Sequence, residues 1–330
     1  MNHTSGHTRR MTFDNERRRR HKLHNAWHSL VLLAGMALLL GACGWLVAGW
    51  AGVVTVVLLG GVGLALGSKV SPQLVLRLYG ARRLPTGELA EVYRIVAALS
   101  DRAGLAQAPE LYYISSPTLN AFSVGRRGDA AIAMTTGLLS RFNLRELAGV
   151  LAHELSHVRN NDMWIMALAD VISRLTRSMS FVGVILLAIN APLMLAGREQ
   201  IPWLLVLLLV FAPMIGTLLQ LALSRTREFD ADLDAAAMTG DPAGLAAALQ
   251  KLERYQGRFW EEIVLPGRRI PEPSVLRSHP ATEARVKRLM ELRDEARASF
   301  GEDPTGVHQH HSMIPETPSR PRWRRSGLWY

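Results

Sequence analysis

Residues 143–158 read Asn-Leu-Arg-Glu-Leu-Ala-Gly-Val-Leu-Ala-His-Glu-Leu-Ser-His-Val. Asn143 stands where a helix N-cap would, and Glu146 three residues on completes the pattern of a capping box. Leu144, Leu147, Ala148, Leu151, Leu155 and Val158 recur at helical spacing and make one apolar stripe. Residues four apart share a helix face, so His153 and His157 can grip a single metal ion. His153 lies about 200° around the helix from Leu151, which points the histidines away from the stripe. Neutral imidazoles suit Zn²⁺, a site with three protein ligands stays open to water, and Glu154, beside the first histidine, is placed to take a proton from that water. Two other readings compete: incidental surface histidines, and a zinc-transporting membrane helix. The uncharged stretch Leu147 to Ala152 is far too short for the latter.

A third ligand must come from elsewhere. The candidate is Glu228, in Ser224-Arg225-Thr226-Arg227-Glu228-Phe229-Asp230-Ala231-Asp232. Glu228 and Asp232 share a helical face; the first can coordinate zinc and the second can accept the ring N–H of a coordinating histidine. A solvated acidic helix face is the alternative. Glu110 to Ser115, Asn120 to Gly125 and Ala130 to Thr135 read as short strands, the last two joined by Arg126-Arg127-Gly128-Asp129, so a small antiparallel sheet is expected before the zinc helix. A sheet edge can hold an extended peptide through main-chain hydrogen bonds, and Asn120-Ala121-Phe122 offers an amide beside that backbone. A simple core strand explains the same residues. Downstream, His279 and Arg285 are candidates to stabilise an oxyanion.

Together these residues resemble the HtpX-type membrane-bound zinc endopeptidases, of the broader group that includes the CAAX prenyl-proteases. The resemblance rests on Asn120-Ala121-Phe122, on His153 to His157 with Asp162 after it, on Arg227-Glu228-Phe229 with Ala231-Asp232, and on His279-Pro280 with Arg285, in the family's order. It spans roughly residues 29 to 295. It implies a zincin-like catalytic domain with one Zn²⁺ per chain, His153, His157 and Glu228 as ligands, Glu154 as catalytic base and Asp232 behind a ligand. It also implies that the strand at Asn120, Ala121 and Phe122 binds substrate backbone, and that His279 and Arg285 assist the transition state. The implied substrates are peptides and misfolded or damaged membrane proteins, in a quality-control role under stress. Where the family's strand usually continues Ala-Thr-Gly after Phe, Ser123-Val124-Gly125 stands here, a departure expected to bear on substrate contacts and not on the zinc chemistry. Processing of a prenylated C-terminus is the rival within enzymes. A catalytically silent scaffold, holding lipid or partners through basic ends, is the rival outside them.

Composition fits a membrane enzyme. The hydrophobic fraction is 48%, and no Asp, Glu, Lys or Arg occurs from Ser29 through Ser68, long enough for two helices of about 20 residues. Gly44 to Gly52, with Trp45 and Trp50, reads as the turn of a hairpin. Uncharged stretches from Ser178 to Gly197 and Gln200 to Ser224 suggest a second hairpin, interrupted by prolines; a buried pair of core helices is its alternative. The apolar run is too long for a cleaved secretory signal. Arg17 to Arg20 precede the first span while Lys69, Arg77, Arg82 and Arg83 follow the second, which predicts cytoplasmic flanks, catalytic domain and termini in the plasma membrane. The single cysteine, Cys43, excludes an intramolecular disulfide. The net charge of +10 lies in terminal arginine runs suited to anionic lipid headgroups, so nucleic acid is not expected as a partner, and nothing fixes an oligomeric state.

The expected fold is therefore mainly α with a small antiparallel β-sheet, in an integral membrane protein. Residues 1–28 form a basic, disordered N-terminus, 29–68 the first transmembrane hairpin and 69–177 the first part of the catalytic domain. Residues 178–224 form the second hairpin, 225–300 the second catalytic part with the third ligand, and 301–330 a disordered basic tail.

Overall fold

A computed structural model describes residues 5–68, 71–85, 87, 89–197, 201–262 and 282–299. The described residues within 1–69 and 165–230 form one compact unit, and those within 70–164 and 231–330 a second. The expected tail at 301–330 lies outside the described residues.

The first unit is helical. α1 (Ser5–Ser68) is broken at Ala48 and Gly49, the latter at φ 57, in the left-handed region that glycine enters without strain. The break is a reversal. A side-chain carbon placed on Gly52 would lie only 1.9 Å from the Gly44 carbonyl oxygen, whereas eight residues of continuous helix would separate the two by about 12 Å. Trp45 and Trp50 meet edge to face at the turn, and Met36 and Leu40 of one arm pack with Val56 of the other. Glycine at both positions lets the arms approach, as small residues do between membrane helices. α1 takes in most of the basic N-terminal stretch, from Ser5: there is no proline before Pro72, and the arginine run has good helix propensity.

α6 (Asp162–Leu195) and α7 (Trp203–Thr239) form the second hairpin. Ser173 bonds Gln220, Ser180 donates to the Val210 carbonyl, and Gly183 lies against Leu209, a register that only an antiparallel pair can hold. Asn190 closes the far end, accepting from the Ile201 N–H and donating to its carbonyl. Among the described residues three helices are long and apolar enough to cross a membrane, the first of them folded into two arms. Leu38, Trp50, Val57, Leu58, Phe181 and Leu204 are exposed, an outward apolar surface that suits lipid. By length and composition this unit is that of a membrane protein. Both α6 and α7 run beyond the uncharged stretches that were read as their limits, because the helical pattern continues unbroken through the charged residues.

The second unit holds α2 (Pro72–Leu78), β1 (Arg82–Arg83), α3 (Ala90–Ala103), β2 (Glu110–Ile114), β3 (Ala121–Val124), β4 (Ala131–Thr135), α4 (Thr136–Arg141), α5 (Leu144–Asn160), α8 (Pro242–Glu262) and α9 (Thr282–Ser299). Its sheet has the order β1-β2-β4-β3. It is mixed, which corrects the expected antiparallel sheet: β3 and β4 are antiparallel, but β2 and β4 run parallel from Glu110↔Ala131 to Ile114↔Thr135. The connection after β2 carries the chain past the place next to β2, and the tight Arg126–Asp129 turn returns β4 into it. Ser116 fixes that excursion, its carbonyl accepting from the Gly137 N–H and the Thr136 hydroxyl. β4 is buried along its whole length, as a central strand covered on both faces must be. Ile132 and Met134 face the core beneath α5, and Ala131 and Ala133 face the other way with Phe122 and Leu76.

α5 is gripped by this core. Leu147, Ala148, Leu151, Ala152 and Leu155 are buried with residues of α3, β4 and α8. A methyl on Gly149 would lie 2.9 Å from the Leu245 backbone of α8, so only glycine permits that approach.

Candidate metal centre and active site

The capping box expected at Asn143 is present: its side chain accepts from the Glu146 N–H, and the Glu146 carboxylate accepts from the Asn143 N–H. That fixes the start of α5 and hence the angular position of the residues two to three turns on. His153 and His157 project from one face with their Nε2 atoms 3.1 Å apart. The apolar stripe is wider than its spacing suggested. Gly149, Val150, Ala152 and Ser156 are buried as well, and His153 is only 5% exposed, so the pair is not on a solvent face.

Each imidazole is oriented from behind. His157 Nδ1 lies 2.8 Å from Asp162 Oδ2, and His153 Nδ1 lies 3.0 Å from Asp232 Oδ1. An ionised carboxylate only accepts, so each Nδ1 carries the hydrogen and each Nε2 presents its lone pair. Arg285 Nη2 also stands 3.4 Å from His153 Nδ1; two donors cannot share that hydrogen bond, and the shorter contact to Asp232 decides. Two lone pairs 3.1 Å apart repel unless something positive lies between them. A cation is what this donor set fits.

Asp162 reaches His157 through the end of α5. Asn161 closes the helix in the left-handed conformation (φ 55), and Asp162, the next residue, is turned back under the ring, 2% exposed. Asp232, on α7, is held bidentately by Arg285 of α9, with Nε to Oδ2 at 2.7 Å and Nη2 to Oδ1 at 2.6 Å. Both residues are 3% exposed. Buried charges need such pairing, and Asp232 takes both Nε and Nη2 of the guanidinium. Arg285 therefore touches the site through Asp232 and His153. Glu228 is buried on α7, one turn before Asp232 on the same helix face. His279 lies outside the described residues.

Glu154 follows His153 and is half-buried; its Oε2 accepts a hydrogen bond from Ser123 Oγ at 3.0 Å. Ser123 belongs to β3, the outer strand of the sheet. Thr135 donates its N–H to the Asn120 carbonyl, so even-numbered residues of β3 face β4, and by antiparallel alternation the main chain of Ala121 and Ser123 faces outward. Of the predicted substrate-binding residues, Phe122 is buried against Tyr79, and Asn120 is buried with its backbone N–H on Thr135 Oγ1 and, among the described residues, no hydrogen-bond partner for its side-chain Oδ1. No spacing assigns Asp162 a role, and Ser123, expected to bear on substrate contacts, also contacts Glu154.

Residues 87–293 match the model of peptidase family M48. Among curated relatives named "Protease HtpX homolog", that of Desulfatibacillum aliphaticivorans is 36% identical over 291 residues, covering 82% of this chain and 91% of the relative. That of Paraburkholderia phytofirmans is 36% identical over 240 residues (67% and 81%), and that of Burkholderia multivorans 35% over 281 residues (79% and 95%). Among solved structures, the crystal structure of S. mikatae Ste24p matches with a TM-score of 0.47 at 20% identity, covering 82% of this chain and 66% of that one.

Proposed function

The chain belongs to peptidase family M48 and is a membrane-bound zinc metalloprotease, and on that premise we propose that His153, His157 and Glu228 hold one zinc ion per chain with Glu154 as the general base. The observation that carries this reading is the convergence of two imidazole Nε2 atoms to 3.1 Å, each ring fixed by a buried carboxylate, with a glutamate at the next position. Glu228 completes the set because α7 is one helix: the turn that delivers Asp232 to His153 carries Glu228 on the same face about 6 Å earlier.

Zinc held there supplies a Lewis acid for the scissile carbonyl and for the attacking water. Glu154 takes the proton from that water and delivers it to the leaving amine nitrogen, so no acyl-enzyme forms. Asp162 and Asp232 keep the ligand rings in the tautomer that presents Nε2, and Arg285 keeps Asp232 charged and in place. An extended substrate adds to the outward edge of β3 through the main chain of Ala121 and Ser123. The substrates are unfolded or damaged membrane proteins, presented to a catalytic unit on the cytoplasmic side, where the basic flanks meet anionic lipid. Prenyl-protein processing and a silent scaffold are not favoured by the relatives found.

The test is metal analysis of the purified full-length protein beside cleavage of an unfolded membrane protein. About one zinc per chain is expected. Cleavage should fall by at least roughly 10²-fold in Glu154→Gln while zinc stays. Absence of zinc, with no activity restored by adding it, overturns the proposal.

A further inference from the structure

Among the described residues, Ser123 is the polar partner of Glu154. The glutamate stands on α5, whose last turns are fixed by the metal-side contacts, but its own side chain has three rotatable bonds and is half-buried. The histidines beside it are each locked by a carboxylate; a base that must meet one water in one direction needs a comparable constraint. The Ser123 hydroxyl provides it, donating to Oε2 and leaving the other carboxylate oxygen to accept the water proton.

The strand places the residue for a second task. The Ser123 side chain turns inward to α5, while by the alternation of the ladder its main-chain N–H and C=O face the open edge of β3. One residue thus touches the base with its side chain and the proposed peptide with its backbone.

We propose that Ser123 is a positioning residue: its hydroxyl sets the Glu154 carboxylate for proton transfer and ties that setting to the strand that receives substrate. The inference rests on the reading of Glu154 as the base. No covalent step at Ser123 is involved; the hydroxyl only donates a hydrogen bond.

The test uses the full-length enzyme in detergent, with β-casein as an unfolded substrate, and compares Ser123→Ala, Ser123→Thr, Glu154→Gln and Ser123→Ala/Glu154→Gln. Ser123→Ala should lower kcat roughly tenfold, about 1.4 kcal/mol of barrier, with KM and zinc content unchanged. Ser123→Thr keeps the hydroxyl on a β-branched residue suited to a strand and should recover most of that loss. In the Glu154→Gln background the serine substitution should change nothing further. Full activity of Ser123→Ala, with Glu154→Gln inactive, overturns the inference and leaves the base in place. Equal losses in the alanine and threonine variants, or a rise in KM alone, also overturn it, by showing a packing or substrate-contact role. Activity retained in Glu154→Gln strikes instead at the reading beneath.

Discussion

The two carboxylates behind the ligand histidines should respond differently to the same substitution. Asp162→Asn leaves an acceptor 2.8 Å from His157 Nδ1 but removes its charge, and Asp232→Asn does the same 3.0 Å from His153 while also taking away the partner of a buried guanidinium. Replacing a charge-assisted hydrogen bond by a neutral one costs about 1–1.5 kcal/mol, roughly 5- to 10-fold, which reaches the low end of the roughly 10–100-fold loss of metal affinity usual for such partners. Both variants should show that loss. Only Asp232→Asn should also destabilise the metal-free protein, because breaking a buried ion pair leaves an uncompensated charge at about 3–5 kcal/mol. For a unit of this size that is a fall in Tm on the order of 10 °C. Competition against a chromophoric chelator measures the first effect, and thermal unfolding in detergent with excess chelator measures the second. Wild-type zinc affinity in Asp162→Asn would refute the argument that its contact fixes His157. An unchanged metal-free Tm in Asp232→Asn would refute the claim that the Arg285 pair supports the fold.

His157→Ala should lose zinc and cleavage together, whereas Glu228→Gln should weaken metal binding with the helix intact, as read by metal analysis and circular dichroism. If both hairpins return the chain to its starting side, cysteine placed at exposed Ala98 in a Cys43→Ala background should resist an impermeant thiol reagent in intact cells and react after lysis; labelling in intact cells places the catalytic unit outside. Burial raises the pKa of Asp241, but the Arg145 hydrogen bond and charge and the N–H groups of Gly244 and Ala243 outweigh it, leaving the carboxyl below its ordinary value. A lowered carboxylate pKa stabilises the fold above the unfolded-state value near 4 and loses that contribution as pH falls through the folded-state value, so acid titration of Asp241→Asn should show a shallower loss of stability below about pH 4. Gly149→Ala should destabilise by about 1–3 kcal/mol in denaturant unfolding, since the backbone of Leu245 cannot move aside as a side chain could.

What the sequence made legible was local. The N-cap at Asn143, the four-residue spacing of the histidines and the uncharged runs are each read within one element, and the structure places a capping box, a convergent pair and long apolar helices there. Pairing across elements was not so readable. Two strands joined by a short turn are antiparallel by default, which is right for β3 and β4, but nothing in the strand between says that β2 pairs with β4 past it. The two-residue β1, Arg82–Arg83, has no apolar alternation to announce it. The break in α1 at Ala48 and Gly49 falls within the Gly44 to Gly52 turn that glycine and tryptophan mark, while the extension of the helix back to Ser5 runs through charged residues with no apolar periodicity to announce it.

The site follows the same division, and for a chemical reason. Metal ligands must face one point, so two of them are most simply drawn from adjacent turns of one helix, and that constraint is written as a spacing. Groups that orient the ligands need only reach an Nδ1 from any direction: Asp232 is legible because its four-residue spacing from Glu228 puts both on one helix face, but no period points to Asp162 or ties Arg285 to Asp232. Asp162 arrives through a left-handed residue that ends the helix, Asp232 from a helix 75 or more residues on, and Arg285 from 53 residues beyond that. Yet these are the residues that make burial of His153 tolerable: an imidazole 5% exposed would otherwise lose its N–H hydrogen bond to water with nothing in return. The apolar stripe alone says only that the histidines lie on the other side of the helix. Paired with Asp232, His153 is drawn inward all the same, next to Glu154, whose carboxylate accepts from Ser123.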